Sequence, residues 1–443
     1  MSDQIQRRGG TTAQHTTFTG ALRELTIDTD KKTVVVHDGV TAGGFPLLRQ
    51  DLNNLPSGTG FAPLASPTFT GVVTIPSGAN IAGFAPLASP TFTGVVTIPS
   101  GANIAGFAPL ASPTFTGVVT GPFVRGEFRK DAPSSVAFTV TAAFALSTQA
   151  NLWVEVGGAC YAYTTGTVVV MPAATIGTDY AIYACSDGTI RADANFTTPT
   201  GYTTSTSRKI GGFHYAPGGN ATAQSGGNTT PYINAYSLWD LKFRPACNDP
   251  RGMTLVAGNF WADIYLTNTD PDTNGTSKYN VTIADGSSPP RVPTKFGGNG
   301  STAYTTLTWW EANEVLAANG KRSASYQEYA ALAYGTTEAS SIGTDQISTI
   351  LNAAYTSRWG VMQSTGVMDV WGKDFGGGAA AAGWVANTTG RGQTYQLPNA
   401  VAFGGDWSVG VYAGSRFSYW IFSPTSSNAS IGSRGVVDHL LLD

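Results

Sequence analysis

Charge is scarce in this chain. Asp, Glu, Lys and Arg together make up 12% of its 443 residues, about half the usual share for a soluble globular protein. The formal net charge is -3. Without a basic excess there is no electrostatic footprint for nucleic acid, and none is expected as a partner. Cysteine is nearly absent. Cys160, Cys185 and Cys247 are odd in number, widely spaced and without a CxxC pair, which excludes a disulfide framework and a zinc site of ordinary spacing. They read as small buried hydrophobes. No apolar run reaches membrane-spanning length, so no membrane insertion is expected. The opening MSDQIQRRGG has no apolar signal-peptide core. Synthesis in a cytoplasm is the expectation, with lysis one route out if the protein works outside a cell. His15, His37, His214 and His439 stand far apart with no HExxH motif and read as structural. No cofactor is expected, and no spacing specifies a bound metal.

What fills the gap is glycine, 54 residues of it, with Thr- and Ser-rich turns and a hydrophobic content of 42%. This is the composition of an all-β extracellular or virion protein, and the length predicts two or three domains. In residues 1–52, Leu25 and Ile27 alternate with polar neighbours. Asp28-Thr29-Asp30-Lys31 then turns the chain and Val34 and Val36 resume the alternation. Such a small β unit buries too little surface to stand alone, and association with identical copies is the simplest remedy. Residues 53–121 hold a repeat: the run Phe61-Ala62-Pro63-Leu64-Ala65-Ser66-Pro67 recurs from Phe84 and from Phe107, a period of 23 residues. A repeat this short needs neighbours to close a core. It is similar to tail-fibre shaft repeats, with a flexible spacer as the alternative.

Residues 122–232 read as an antiparallel β domain. Leu152, Val154 and Val156 lead through Gly157-Gly158 to Tyr161 and Tyr163, and Tyr180–Tyr183 leads across Ser186-Asp187-Gly188 to Ile190. Residues 233–443 change character. Thr308 with Glu311 and Ser325 with Glu328 form capping boxes ahead of two short helices, whose apolar faces are Ala312, Val315, Leu316 and Tyr329, Leu332, Ala333. Gly-, Trp- and Arg-rich strands follow. The whole is mainly β with an α+β C-terminal domain.

The segment about 403–439 carries the functional signal. Strand parity sends Trp407 and Trp420 inward. It presents Asp406, Ser408, Tyr419, Ile421, Ser426, Asn428 and Ser430 on the other face. That set mixes aromatic, aliphatic and small polar side chains, so it is either a partner-contact surface or an ordinary, imperfectly polar strand face.

Here the sequence resembles a known family. The runs Arg8-Gly9-Gly10-Thr11-Thr12-Ala13-Gln14-His15, Thr33-Val34-Val35-Val36-His37-Asp38-Gly39 and Thr178-Asp179-Tyr180-Ala181-Ile182-Tyr183 are similar to those of the major tropism determinants. So are Gly211-Gly212-Phe213-His214-Tyr215-Ala216-Pro217, Asp249-Pro250-Arg251-Gly252-Met253-Thr254, Phe403-Gly404-Gly405 and Arg434-Gly435-Val436. These are receptor-binding proteins of phages that carry a diversity-generating retroelement. The threefold repeat departs from the family pattern and looks like an inserted fibre segment.

The resemblance implies a homotrimer with an N-terminal β-prism, the repeat shaft, a β-sandwich and a C-type-lectin-fold domain. Its partners would be a host cell-surface receptor, other copies of itself and other tail-fibre or virion proteins. Carried over without gaps, the family's diversified positions fall on Asp406, Ser408, Val409, Gly410, Tyr412, Tyr419, Ile421, Phe422, Ser426, Asn428, Ser430 and Ile431. Trp407, Arg416, Trp420 and Gly432 would be fixed scaffold. Randomising the first two bases of an AAC codon never yields Trp, Met, Lys, Glu or Gln, and none of these stands at the twelve positions. The run Ser364–Trp371 is also similar to formylglycine-generating enzymes, but those act through a C-terminal cysteine pair. Here the last cysteine is Cys247, so no enzyme activity is expected. A non-diversified structural fibre subunit is the other alternative.

Overall fold

The computed structural model describes residues 7–47, 119–120, 127–386 and 393–442. The 23-residue repeats, and their reading as a shaft, lie outside the described residues. The chain divides into two units, Met1–Thr114 and Phe115–Asp443.

In the first unit the expected hairpin forms. Leu25–Asp28 pairs antiparallel with Thr33–Val36, placing Leu25 opposite Val36 and Ile27 opposite Val34. Its buried face is the reverse of the expected one. Thr26, Asp28, Thr33 and Val35 are buried, while Leu25, Ile27, Val34 and Val36 are half-exposed. The cause is a polar interior. The His15 Nδ1–H donates to the Thr11 carbonyl at 3.0 Å, so its Nε2 accepts from the Thr26 hydroxyl at 2.8 Å. The same hydroxyl accepts from His37 Nε2 at 2.9 Å, and His37 Nδ1 accepts from the Gly20 N–H at 3.3 Å. Every ring nitrogen has a partner, which is the condition for burying such groups. Both histidines are structural, as expected.

In the second unit both expected hairpins are present. Leu152–Val156 pairs with Ala159–Tyr163, and Thr178–Cys185 pairs with Ile190–Asp193. The turn Gly157-Gly158 has φ of 60° and 88°, the left-handed region that favours glycine. Residues from both hairpins, including Leu152, Val154, Tyr180 and Ile182, meet with Phe138 and Phe213 in one apolar cluster. The sheet holding Thr178–Cys185 then runs on past residue 232. Its order continues through Ser207–Ala216, Trp239–Asp240 and Phe243–Pro245 to Gly435–Leu441, then Phe260–Asp263 and Met253–Val256. The last strand of the chain thus sits in the middle of a sheet begun some 250 residues earlier.

Both capping boxes are realised. The Thr308 N–H donates to the Glu311 carboxylate at 2.8 Å ahead of helix Trp309–Ala318, and the Ser325 N–H donates to Glu328 at 2.8 Å ahead of helix Tyr326–Leu332. Ala312, Val315, Leu316, Tyr329, Leu332 and Ala333 are all buried. Cys185 and Cys247 are buried as expected, but Cys160 is only half-buried.

One buried cation ties these pieces together. The Arg434 guanidinium donates to the carbonyls of Asp263 and Ile264, both at 2.8 Å, and to those of Met362 and Gln363 at 2.6 and 3.1 Å. Next to it the Asp263 carboxylate accepts from the Lys321 ammonium at 2.5 Å, the Thr276 hydroxyl at 2.6 Å and the Gly435 N–H at 3.1 Å. A lysine at position 434 keeps the charge but loses the planar fork, leaving buried carbonyls unpaired. Arg434→Lys is therefore expected to lower unfolding free energy by about 2–4 kcal/mol in denaturant titration. A change below about 0.5 kcal/mol would show that the fork is dispensable.

Candidate functional site

Between strand Pro398–Phe403 and strand Gly435–Leu441 the chain makes a long excursion, residues 404–434, that holds the expected site. It begins at a glycine pair. Gly404 and Gly405 have φ of 87° and 83°, and a Cβ at Gly404 would lie 2.7 Å from the Tyr329 hydroxyl and 2.9 Å from the Ser364 carbonyl. Only glycine fits there. It ends at Gly432, where a Cβ would stand 2.5 Å from Met368 Sδ, and at the Arg434 anchor.

After the glycines the chain turns rather than running as a strand. Asp406 touches Val367 through an isolated parallel bridge, and its carboxylate accepts from the Ser408 N–H and hydroxyl, both at 2.7 Å. A short 3-10 turn, Gly410–Tyr412, follows. Strand Ser418–Phe422 then pairs with Pro398–Phe403 through Ala402–Tyr419 and Ala400–Phe422, with a register shift between them. Three residues advance on one strand against two on the other, which is a β-bulge, and bulges re-aim side chains. The Tyr419 and Phe422 rings consequently meet edge-on with centroids 5.2 Å apart. Farther along, the Asn428 side chain accepts from the Ser430 N–H and hydroxyl at 2.9 and 2.8 Å, repeating the Asp406–Ser408 arrangement.

Of the twelve expected contact positions, Ser408, Tyr412, Tyr419, Ile421 and Asn428 are exposed, with Tyr412 at 77% and Ile421 at 60%. Val409, Gly410, Phe422, Ser426 and Ser430 are half-buried. Two fall inside. Asp406 is only 9% exposed, because its carboxylate is spent on the local turn. Ile431 is fully buried, because Ile431–Gly432 pairs in parallel with Asp369–Val370 and seats Ile431 against Trp371 and Leu307. Trp407 and Trp420 both pack against the main core cluster, as expected, and stay partly exposed; around Trp420 the alternation holds, with Tyr419 and Ile421 exposed on either side. Arg416, expected as scaffold, has an exposed side chain, and it is its carbonyl that accepts the Tyr326 hydroxyl at 3.1 Å. Gly432 is buried as expected of scaffold. Val411, 71% exposed between Gly410 and Tyr412, was not among the expected positions; its place in an exposed Gly-Val-Tyr turn was the available signal.

The apolar exposed residues Val411, Tyr412, Tyr419 and Ile421 thus stand on one glycine-hinged excursion held at both ends. Comparison with known proteins places the chain in a family. Residues 5–41 match the major tropism determinant N-terminal domain, and residues 136–240 match the Mtd second domain. The chain is 48% identical, over 452 aligned residues and the full length of both, to the tail fiber receptor-binding protein of Bordetella phage BPP-1. The chain belongs to the major tropism determinant family. Solved structures of the M1 and I1 variants of Major Tropism Determinant are each 49% identical to it. Each superposes with a TM-score of 0.71 over 99% of this chain and 100% of the variant.

Beneath the excursion of this family member lies a second acid. Asp369 is 2% exposed, and its Oδ1 has no hydrogen-bond partner. Burial, reinforced by the Asp406 carboxylate, holds its carboxyl well above the ordinary value of 3.8. The unfolded chain releases this proton near its ordinary value, while the folded chain keeps it. Raising the pH from acid through that range therefore costs stability, until the folded group ionises in turn. Asp369→Asn removes the titration. The variant is expected to gain stability over the parent at pH 7 and to gain none at pH 3, read from denaturant midpoints. An equal change at both pH values would contradict this.

Proposed function

We propose that this chain is the receptor-binding protein of a phage tail fibre, attaching the virion to its host through the excursion 404–434. The observation that carries the proposal is the set Val411, Tyr412, Tyr419 and Ile421, large apolar side chains each exposed on one excursion whose two ends are held. Tyrosine gives wide contact at small conformational cost, and each apolar side chain covered contributes about 25 cal/mol per Å² removed from water. With Asp406 buried, the exposed expected positions carry no charge of their own, so steering is weak and adsorption only mildly salt-dependent. The name of the BPP-1 relative supports the same activity.

The finer organisation follows the family. We infer diversification at Asp406, Ser408, Val409, Gly410, Tyr412, Tyr419, Ile421, Phe422, Ser426, Asn428, Ser430 and Ile431. The buried Asp406 and Ile431 shape the support, and the others meet the receptor. The domains are an N-terminal β-prism over 1–52, fibre repeats over 53–121, a β-sandwich over 122–232 and a C-type-lectin-like domain over 233–443. The assembly is a homotrimer joined to other virion proteins. Support for self-association comes from the first unit. Among its described residues only Val35 is a fully buried apolar side chain, while Leu22, Val40, Phe45 and Leu47 are exposed and the Leu25, Ile27, Val34, Val36 face is half-exposed. So short a unit cannot afford that much open apolar surface alone. Three copies of a modest site raise avidity by roughly 10²–10⁴-fold. The protein acts by adhesion, without catalysis.

The combined variant Tyr412→Ala, Tyr419→Ala and Ile421→Ala is expected to reduce virion adsorption to the plating host at least about a hundredfold. Its sedimentation mass should remain that of a trimer. Undiminished adsorption would refute the face, and a monomeric parent would refute the assembly.

A further inference from the structure

A loop outside the excursion grips its first turn. The Ser341 hydroxyl donates to the Trp407 carbonyl at 2.8 Å and accepts from the Gly410 N–H at 3.0 Å. The Gly343 N–H donates to the same Trp407 carbonyl at 3.0 Å. Five residues on, the Glu338 carboxylate accepts from the Ser415 N–H at 3.0 Å and from the Ser415 hydroxyl at 2.6 Å. Gly414 lets the carboxylate this close, since a Cβ there would lie 2.2 Å from Glu338 Oε2.

The gripping loop is itself fixed. The Thr337 N–H donates to the Ala354 carbonyl at 2.8 Å, the Ile342 N–H donates to the Gly366 carbonyl at 2.9 Å, and the Ser340 and Tyr355 hydroxyls lie 3.1 Å apart. Between Glu338 and Ser340, Ala339 has φ of 53°, a left-handed backbone that is strained for a non-glycine residue. Strain of this kind persists where the surroundings demand it, and it clusters at ligand clamps and switch regions. The grip also has a selective form. Its partners in the turn are the main chain of Trp407, Gly410 and Ser415 and the Ser415 hydroxyl. None is a side chain at 408, 409, 410 or 412.

We propose that Glu338 and Ser341 are positioning residues for receptor binding. They form a clamp that fixes the backbone of the turn 407–415, and so the aim of Val411 and Tyr412, whatever side chains the turn carries. The clamp rests on the reading of the excursion as the receptor-contact surface. It adds outside contacts to the turn's own bonds, the Tyr412 and Ala413 N–H groups to the Val409 and Gly410 carbonyls and Ser408 to the Asp406 carboxylate.

The test uses the full-length chain and virions carrying it. In Glu338→Ala combined with Ser341→Ala, amide exchange at 409–415 is expected to quicken at least about tenfold, with exchange at 418–422 unchanged. Virion dissociation from host cells is expected to quicken about tenfold. Ser341→Thr, which keeps the hydroxyl, restores both. Added to Val411→Ala with Tyr412→Ala, the clamp variant should cause little further loss of adsorption, whereas a general structural defect would add its full effect. Unchanged exchange at 409–415 overturns the proposal. So does faster exchange with normal dissociation, if the Tyr412, Tyr419, Ile421 triple variant still abolishes adsorption. If that triple variant adsorbs normally, the failure belongs to the contact surface and the clamp falls with it.

Discussion

The guanidinium of Arg434, closed inside the second unit and bonded to four main-chain carbonyls, is the constraint on which the rest of the structure depends. It stands at the exit of the 404–434 excursion and at the entry to Gly435–Leu441. That strand is central to the large sheet, pairing with Phe243–Pro245 on one side and Phe260–Asp263 on the other. A buried cation is costly unless its donors are matched. Here the carbonyls of 263, 264, 362 and 363 match the two terminal nitrogens, leaving Nε without a partner among the described residues, and Asp263 lies close enough to act on the guanidinium electrostatically. The same bonds that make the cation tolerable fix where the excursion must end. The glycine pair 404–405 fixes where it must begin.

Between those two points the excursion is held in large part by groups elsewhere, with the Asp406 and Asn428 side chains adding local bonds at its turns. The Trp309 N–H donates to the Pro424 carbonyl and the Leu307 N–H donates to the Ser427 hydroxyl. The Gly286 N–H donates to the Asn428 carbonyl, and Ser341 holds Trp407 and Gly410. Separating presentation from identity is what a surface needs if it is to change its target without refolding. Under the proposed function, the exposed aromatic and aliphatic groups, which would be an aggregation hazard on a protein with no use for them, serve as contact area.

Much of the scaffold was legible in the sequence, since local signals agreed with tertiary demand. Thr308–Glu311 and Ser325–Glu328 announced two helices, and Leu152, Val154 and Val156 announced a hairpin with its inner face. The first unit was read with the right period and the wrong face. Hydrophobic alternation assumes an apolar interior, while His15, Thr26 and His37 build a polar one that only three-dimensional pairing reveals. In the site, parity assumed continuous strands. The turn after Gly404-Gly405 breaks that count, which is why Asp406 went inward, whereas burial within Ser418–Phe422 keeps the alternation, with Tyr419 and Ile421 outward and Trp420 packed on the core. Gly404-Gly405 was a visible warning of a turn; nothing local foretold the bulge, or the pairing with Asp369 that buries Ile431.

The central claim is that the frame, and not the side chains on it, sets the fold of the excursion. The direct measurement is thermal unfolding of a panel in which Ser408, Tyr412, Tyr419, Ile421 and Asn428 are varied together at random. The account predicts melting temperatures clustered within about 3 °C of the parent, as for exposed substitutions, while host adsorption varies widely. Melting temperatures scattered as broadly as those of core variants at Ile431 would contradict it.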